Sequence, residues 1–154
     1  MFEKGNEFFR AKLNYIPMDN QDIRWEQRFQ NFTKSMHYLE NALQIQNPDI
    51  VQKAGIIQFF EMSFELAWNM VKDYLQEQGF IDIKSPRGAL KKAFEIGIIE
   101  NGYHWMDLLL DRRNLTAHTY DEQKATDMEQ LIQNKYFPLL KELLLSFKDK
   151  LDEK

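Results

Sequence analysis

The chain has 154 residues, a formal net charge of −4 and 44% apolar residues. That is enough for one domain with a real hydrophobic core and no need of metals or cross-links. It has no cysteine, which excludes disulfides, thiolate catalysis and Cys-ligated zinc, and only six glycines and four prolines, which argues against a turn-rich β protein. A mildly acidic chain is a poor general binder of nucleic acid, so DNA is not expected as a partner and any RNA contact must be local. No apolar run approaches a membrane span, and the start has no apolar stretch following basic residues, so the chain reads as cytoplasmic.

Residues 1–20 read as an N-terminal extension that mixes charge with Phe8, Phe9, Leu13, Tyr15 and Ile16 and closes at Pro17. Residues 21–154 read as a single helical domain. The first strong helix is predicted from about Asp22 to Gln46, because Phe29, Phe32, Met36, Leu39 and Leu43 recur at steps of three and four. Asn47-Pro48 breaks it. A second helix starts at Asp49, a suitable N-cap, carries Val51, Ile57, Phe64, Trp68, Val71 and Leu75, and ends at Gly79.

Ser85-Pro86 is a compact start signal for a third helix over Pro86–Glu95, since Ser caps free amides and Pro tolerates the first helical position. It stops at Gly97, and Asn101-Gly102 makes a turn. The pattern predicts a fourth helix from Tyr103 to about Ala117 or slightly beyond. The last helix is predicted from Asp121 to Lys150, kinked or divided at Pro138, which removes a ladder bond. No strand alternation, repeat or low-complexity segment is legible. Five helices with short connections point to an all-α, up-and-down antiparallel four-helix bundle with an additional helix.

The fourth predicted helix carries the chemistry. Asp107, Asp111, Asn114 and His118 are spaced by four, three and four, which stacks them on one face of a continuous helix, while Trp105, Leu108 and Leu115 turn to the core. Arg113 lies five positions before His118, about 140° around a regular helix. Tyr120 follows His118 by two. Spacing alone leaves two readings open. One is an ordered functional stripe. The other is a surface stripe in which Asp111 pairs with basic side chains and His118 caps carbonyls at a helix end.

Other groupings carry less. Glu61 and Glu65 are one turn apart, but neither has a His three residues later, so a di-iron bundle site is not supported. Glu65 can instead face the polar centre. His37 and His104 read as ordinary surface residues, no metal site is expected, and Trp68 and Trp105 read as core. Arg87, Lys91 and Lys92 form one small basic group and Arg112 and Arg113 another.

Arg113-Asn114-Leu115-Thr116-Ala117-His118-Thr119-Tyr120 fits the pattern Arg, four residues, His, any residue, Tyr. That pattern resembles the signature of HEPN domains, in particular those encoded beside a minimal nucleotidyltransferase. Phe64 to Trp68, Ser85-Pro86-Arg87 and Trp105 to Tyr120 together look like the nucleotidyltransferase substrate-binding protein family, over about residues 24 to 135. The resemblance implies a helical bundle that homodimerises and pairs with the small nucleotidyltransferase.

Two roles follow from the resemblance. One is a toxin in a toxin–antitoxin pair, a metal-independent ribonuclease silenced when the partner transfers AMP to the motif Tyr. Arg113 and His118 would then be the ribonuclease residues, Asn114 their polar neighbour, Tyr120 the AMP acceptor, and Asp107, Asp111 and Glu65 supporting polar groups. The other is a non-catalytic subunit that presents substrate to the nucleotidyltransferase. The chain has no phosphate-cradling Gly-rich loop, so it is not itself expected to be the nucleotidyltransferase; ATP and Mg²⁺ would sit on the partner. A helical scaffold with a degenerate motif is the third possibility.

One motif His per chain is short of the two proton-transfer groups that metal-free RNA cleavage uses, and a two-fold dimer would supply both. A homodimer with the fourth helix at or near the interface is therefore expected.

Overall fold

The computed structural model describes residues 21–115 and 121–153. Helix α1 (Gln21–Leu43) buries Trp25, Phe29, Phe32, Met36 and Leu39 along one face, the stripe read from the sequence. It closes three residues before the predicted end. The Gln44 and Ile45 amides turn back to carbonyls three residues earlier, at 3.2 Å each, and Asn47 adopts a positive φ of 50° just ahead of Pro48, which disfavours the helical region for the residue before it.

Helix α2 (Ile50–Glu77) begins with a complete capping box. The Gln52 amide donates to Asp49 Oδ1 at 2.8 Å, and the Asp49 amide donates to Gln52 Oε1 at 2.9 Å. It ends where Gly79 takes a φ of 101° and the Phe80 amide reaches back to the Leu75 carbonyl at 2.9 Å, a closure that residues with a Cβ adopt only under strain. With 28 residues it spans roughly 42 Å at 1.5 Å per residue. It is the central element, packing against α1 and against every later helix except the fourth in more than marginal contact.

Helix α3 (Pro86–Glu95) starts where predicted, with the Gly88 amide on Ser85 Oγ at 3.0 Å. It ends in the same kind of closure at Gly97, with the Ile98 amide on the Ala93 carbonyl at 2.8 Å. Helix α4 (Gly102–Arg112) buries Trp105 and Leu108. Helix α5 (Glu122–Leu131) is capped by Asp121, whose carboxylate accepts from the Gln123 and Lys124 amides.

A π-helical turn (Ile132–Tyr136) joins α5 to α6 (Phe137–Asp152) with the backbone still helical. The predicted disruption at Pro138 takes this form. Pro138 has no amide to donate, and in the turn just ahead of it the Phe137 amide donates five residues back to Ile132.

Among the described residues there are no strands, and the architecture is an antiparallel helical bundle. One end of the core is an edge-to-face cluster of Trp25, Tyr74 and Phe147 with ring centroids 5.2–5.7 Å apart. Near the middle, Phe60 of α2 stacks on Tyr136 of the π turn at 5.8 Å. The buried polar residues Ser35, Ser63 and Asp73 are matched: Ser35 and Ser63 share a 2.7 Å hydrogen bond, and Arg28 pairs with Asp73. One core expectation changes: Trp68 is half-buried. Val51, on the first turn of α2, is 76% exposed.

Candidate functional site

The site is built where the end of α4 meets α2, the start of α3 and the π turn. The regular helix closes at Arg112, earlier than the spacing predicts, with Arg113 as C-cap and the Asn114 amide turning to the Asp111 carbonyl three residues back at 3.1 Å. Asp107 and Asp111 therefore share a helical face, whereas Asn114 follows after the turn and is exposed. Leu115 returns to the core. His118 and Tyr120 lie outside the described residues.

The two adjacent arginines have opposite fates. Arg112 turns inward. Its Nε donates to both carboxylate oxygens of Glu61, at 2.9 and 3.1 Å, its terminal nitrogen pairs with Glu61 and Glu65, and its guanidinium lies 4.7 Å from the centre of the Phe64 ring. Glu65 also accepts the Trp68 indole N–H at 2.9 Å. Glu65 thus faces a polar centre, and the group it meets there is Arg112. Arg113 is exposed and has no hydrogen bond or ion pair with a described residue.

Asp107 and Asp111 are both engaged by the π turn. The Lys135 ammonium donates to Asp107 Oδ2 at 2.7 Å, and this bond, together with its charge, holds the Asp107 carboxyl below the usual carboxylate range. The Tyr136 hydroxyl donates to Asp111 Oδ2. Tyr136 is fully buried, and burial, then the hydrogen bond and charge of Asp111, push its phenol above the ordinary value. Tyr136 is thus a proton donor held neutral. The two carboxylates fix the orientation of α4 against the last helices.

Arg113 opens onto a cleft of about 390 Å³ between the start of α3 and the outer side of α4. Arg87 lines it from α3, Arg112 and Arg113 from α4, and Met106, Leu109 and Leu110 supply an apolar wall. Among the described residues no carboxylate lines it. Since Arg112 is neutralised by two glutamates, the cations left to meet a ligand there are Arg87 and Arg113. Such a cleft can hold an anionic group beside an apolar one.

Sequence reasoning gave no role to Arg112, Lys135 or Tyr136. The signals were present: Glu61 and Glu65 one turn apart on α2 ask for a cation, and a tyrosine two residues before a mid-helix proline marks a disturbed turn. His37 and His104 are exposed, and His37 meets only Asn41 at 3.4 Å among the described polar groups. No described helix is long and apolar enough to cross a membrane.

Comparison with known proteins places the chain. Its residues 27–149 match the family model described as nucleotidyltransferase substrate binding protein like. A Haemophilus influenzae protein named probable ribonuclease HepT is 38% identical over 91 residues, which is 51% of this chain and 58% of the relative, so the chain spans well under two thirds of that protein's length.

Two solved structures share the fold. One, from Thermus thermophilus, superposes with a TM-score of 0.66 at 28% identity, covering 73% of this chain and 95% of the other. The second, from Haemophilus influenzae, is described as revealing the fold of a substrate binding domain of a nucleotidyltransferase; it gives a TM-score of 0.59 at 28% identity over 84% of this chain and 99% of the other. From the span of the family match and the shared bundle, the chain belongs to the nucleotidyltransferase substrate binding protein like family.

Proposed function

We propose that this chain is the partner of a minimal nucleotidyltransferase and acts as a HEPN ribonuclease toxin that is silenced by AMP transfer to Tyr120. The observation that carries the reading is the state of Arg113: a guanidinium unpaired among the described residues, at a cleft they line without a carboxylate, beside a second arginine that two glutamates have already consumed. Arg is permanently charged and grips phosphate bidentately, so Arg113 suits the phosphate under attack.

In the proposed reaction the RNA 2′-oxygen attacks the adjacent phosphorus, and the bond to the 5′-oxygen breaks. A base takes the 2′-proton, an acid protonates the leaving oxygen, and Arg113 balances the charge that builds on the phosphoryl oxygens. His118 titrates near neutrality and fits either proton-transfer role, with Asn114 as polar neighbour. Two copies of the chain would supply both histidines. The outer side of α4 supports a homodimer, since Tyr103 on its first turn is 90% exposed and lies outside the residues that line the cleft.

Silencing follows the same chemistry. The Tyr120 phenol oxygen attacks the α-phosphorus of ATP held with Mg²⁺ on the partner, the bond to the β-phosphate breaks, pyrophosphate leaves, and the phenol proton passes to solvent. The chain is then a substrate of its partner and holds no cofactor of its own. The added anionic nucleotide would compete with RNA for the same cations.

The test has two parts. Expression of the chain alone arrests growth, and His118→Ala relieves the arrest. Co-expression with a minimal nucleotidyltransferase partner adds one AMP to the intact mass, and Tyr120→Phe abolishes the addition. The family description and the Haemophilus influenzae structure support a second reading, a non-catalytic substrate-binding subunit. Absence of both toxicity and RNA cleavage would select it.

A further inference from the structure

Arg87 belongs to a different helix and a different part of the chain from the Arg113 motif, yet the fold brings both to one cleft. Its placement is local in origin. Ser85 caps α3 and its hydroxyl is already used by the Gly88 amide, Pro86 has no amide, and Arg87 is the next residue, exposed on the first turn. That first turn carries no acidic residue, and no described carboxylate pairs with Arg87. Across the gap, Met106, Leu109 and Leu110 line the cleft with Arg113, while Arg112 is held by Glu61 and Glu65.

Among the described residues, the cleft therefore offers two unneutralised guanidinium groups separated by an aliphatic wall. One anion would need only one of them. Two cations with apolar surface between them match a chain of phosphates linked by sugar and base, and a cleft of about 390 Å³ has the volume for a nucleotide segment and not for a duplex.

We infer that Arg87 is a second phosphate-binding residue of the cleft, gripping a phosphate of single-stranded RNA next to the one held by Arg113. The inference rests on the ribonuclease reading for its ligand and adds a residue and a substrate form to it. Arg87 binds and positions the strand and takes no part in proton transfer. Its loss weakens binding and leaves the chemical step at saturating RNA unchanged.

The experiment measures binding of a fluorescein-labelled single-stranded RNA oligonucleotide by anisotropy across a salt series, using the full chain, Arg87→Gln, Arg87→Lys and Lys148→Gln. Lys148 is exposed on α6, away from the cleft, and its change matches the loss of charge. The expected result is a roughly tenfold weaker Kd for Arg87→Gln and a salt slope shallower by about 0.7, the value for one phosphate contact on a single strand. Arg87→Lys keeps the slope and recovers part of the affinity. Lys148→Gln stays near wild type. In cleavage assays KM rises for Arg87→Gln while kcat holds.

If the unmodified chain binds RNA but Arg87→Gln binds it equally well, the inference is overturned and the ribonuclease reading survives. A chain that binds no single-stranded RNA at all removes both. Tighter binding of duplex than of single strand overturns the inference as stated.

Discussion

Arg112 Nε donates to Glu61 Oε1 at 2.9 Å across the gap between α4 and α2, and this bond decides which of two consecutive arginines remains available to a ligand. Had the helix rotated by one residue, Arg113 would meet the glutamates and Arg112 would face the cleft. The burial of Trp105 and Leu108 sets that rotation, because both must reach the core from the same helix face.

The two arginines should therefore separate cleanly by mutation. Arg112→Gln leaves Glu61 and Glu65 without their cation and should cost about 1–2 kcal/mol, discounted from a fully buried pair because all three side chains are partly exposed. Arg113→Gln should change stability by no more than about 0.5 kcal/mol. Urea denaturation followed by circular dichroism checks both. Equal destabilisation by the two variants would contradict the assignment of roles.

Tyr136→Phe removes the phenol that donates to Asp111 and should cost about 1–2 kcal/mol at neutral pH, since the carboxylate loses a donor in a half-buried place. The variant should also differ in alkali. The folded state raises the Tyr136 pKa above its ordinary value of 10.0, so above that pH the unfolded chain loses its proton first and the native state loses stability as pH rises. The wild-type advantage over Tyr136→Phe should be full up to about pH 10 and shrink beyond it. An advantage that stays constant through that range would exclude a raised phenol.

Asp107 should titrate below the usual carboxylate range, because Lys135 hydrogen-bonds to it. Its contribution is present above the ordinary Asp pKa near 3.8 and is lost as pH falls through the lowered folded value. Carboxyl carbon shifts followed by NMR against pH give the midpoint directly. Lys135→Gln should move it up toward the ordinary value.

The first turn of α4 should hold two copies of the chain together. Tyr103→Asp places charge on an exposed apolar position outside the cleft, at little cost to a single chain. Light scattering after size exclusion should give a dimer mass for the wild type and a monomer mass for the variant at the same micromolar concentration. A wild type that runs as a monomer would remove the dimer.

The capping box of α2 offers a control on the fold alone. Asp49→Ala removes the acceptor for the Gln52 amide and should cost about 0.5–2 kcal/mol without altering RNA binding or modification. Thermal unfolding checks the first part, and the anisotropy assay the second.

What the sequence determined by itself were the local features. Asp49, Ser85 and Asp121 start helices through hydrogen bonds within three residues, Pro86 suits the first helical position because it has no amide to satisfy, and Gly79 and Gly97 end helices through positive φ. The apolar stripe of α1 and the inward turn of Trp105 and Leu108 follow from helical period, so the bundle is legible in the order of residues.

Tertiary structure alone decided the pairings. Arg112 meets Glu61 and Glu65 some fifty residues away, Tyr136 meets Asp111 through a π turn that shifts the helix register ahead of Pro138, and Arg87 reaches the cleft of Arg113 from another helix. Charge and spacing within one helix carry no information on which distant side chain will approach it. That depends on how the helices rotate to bury their apolar faces, and a one-residue difference in rotation exchanges a partly buried ion pair for an open cation.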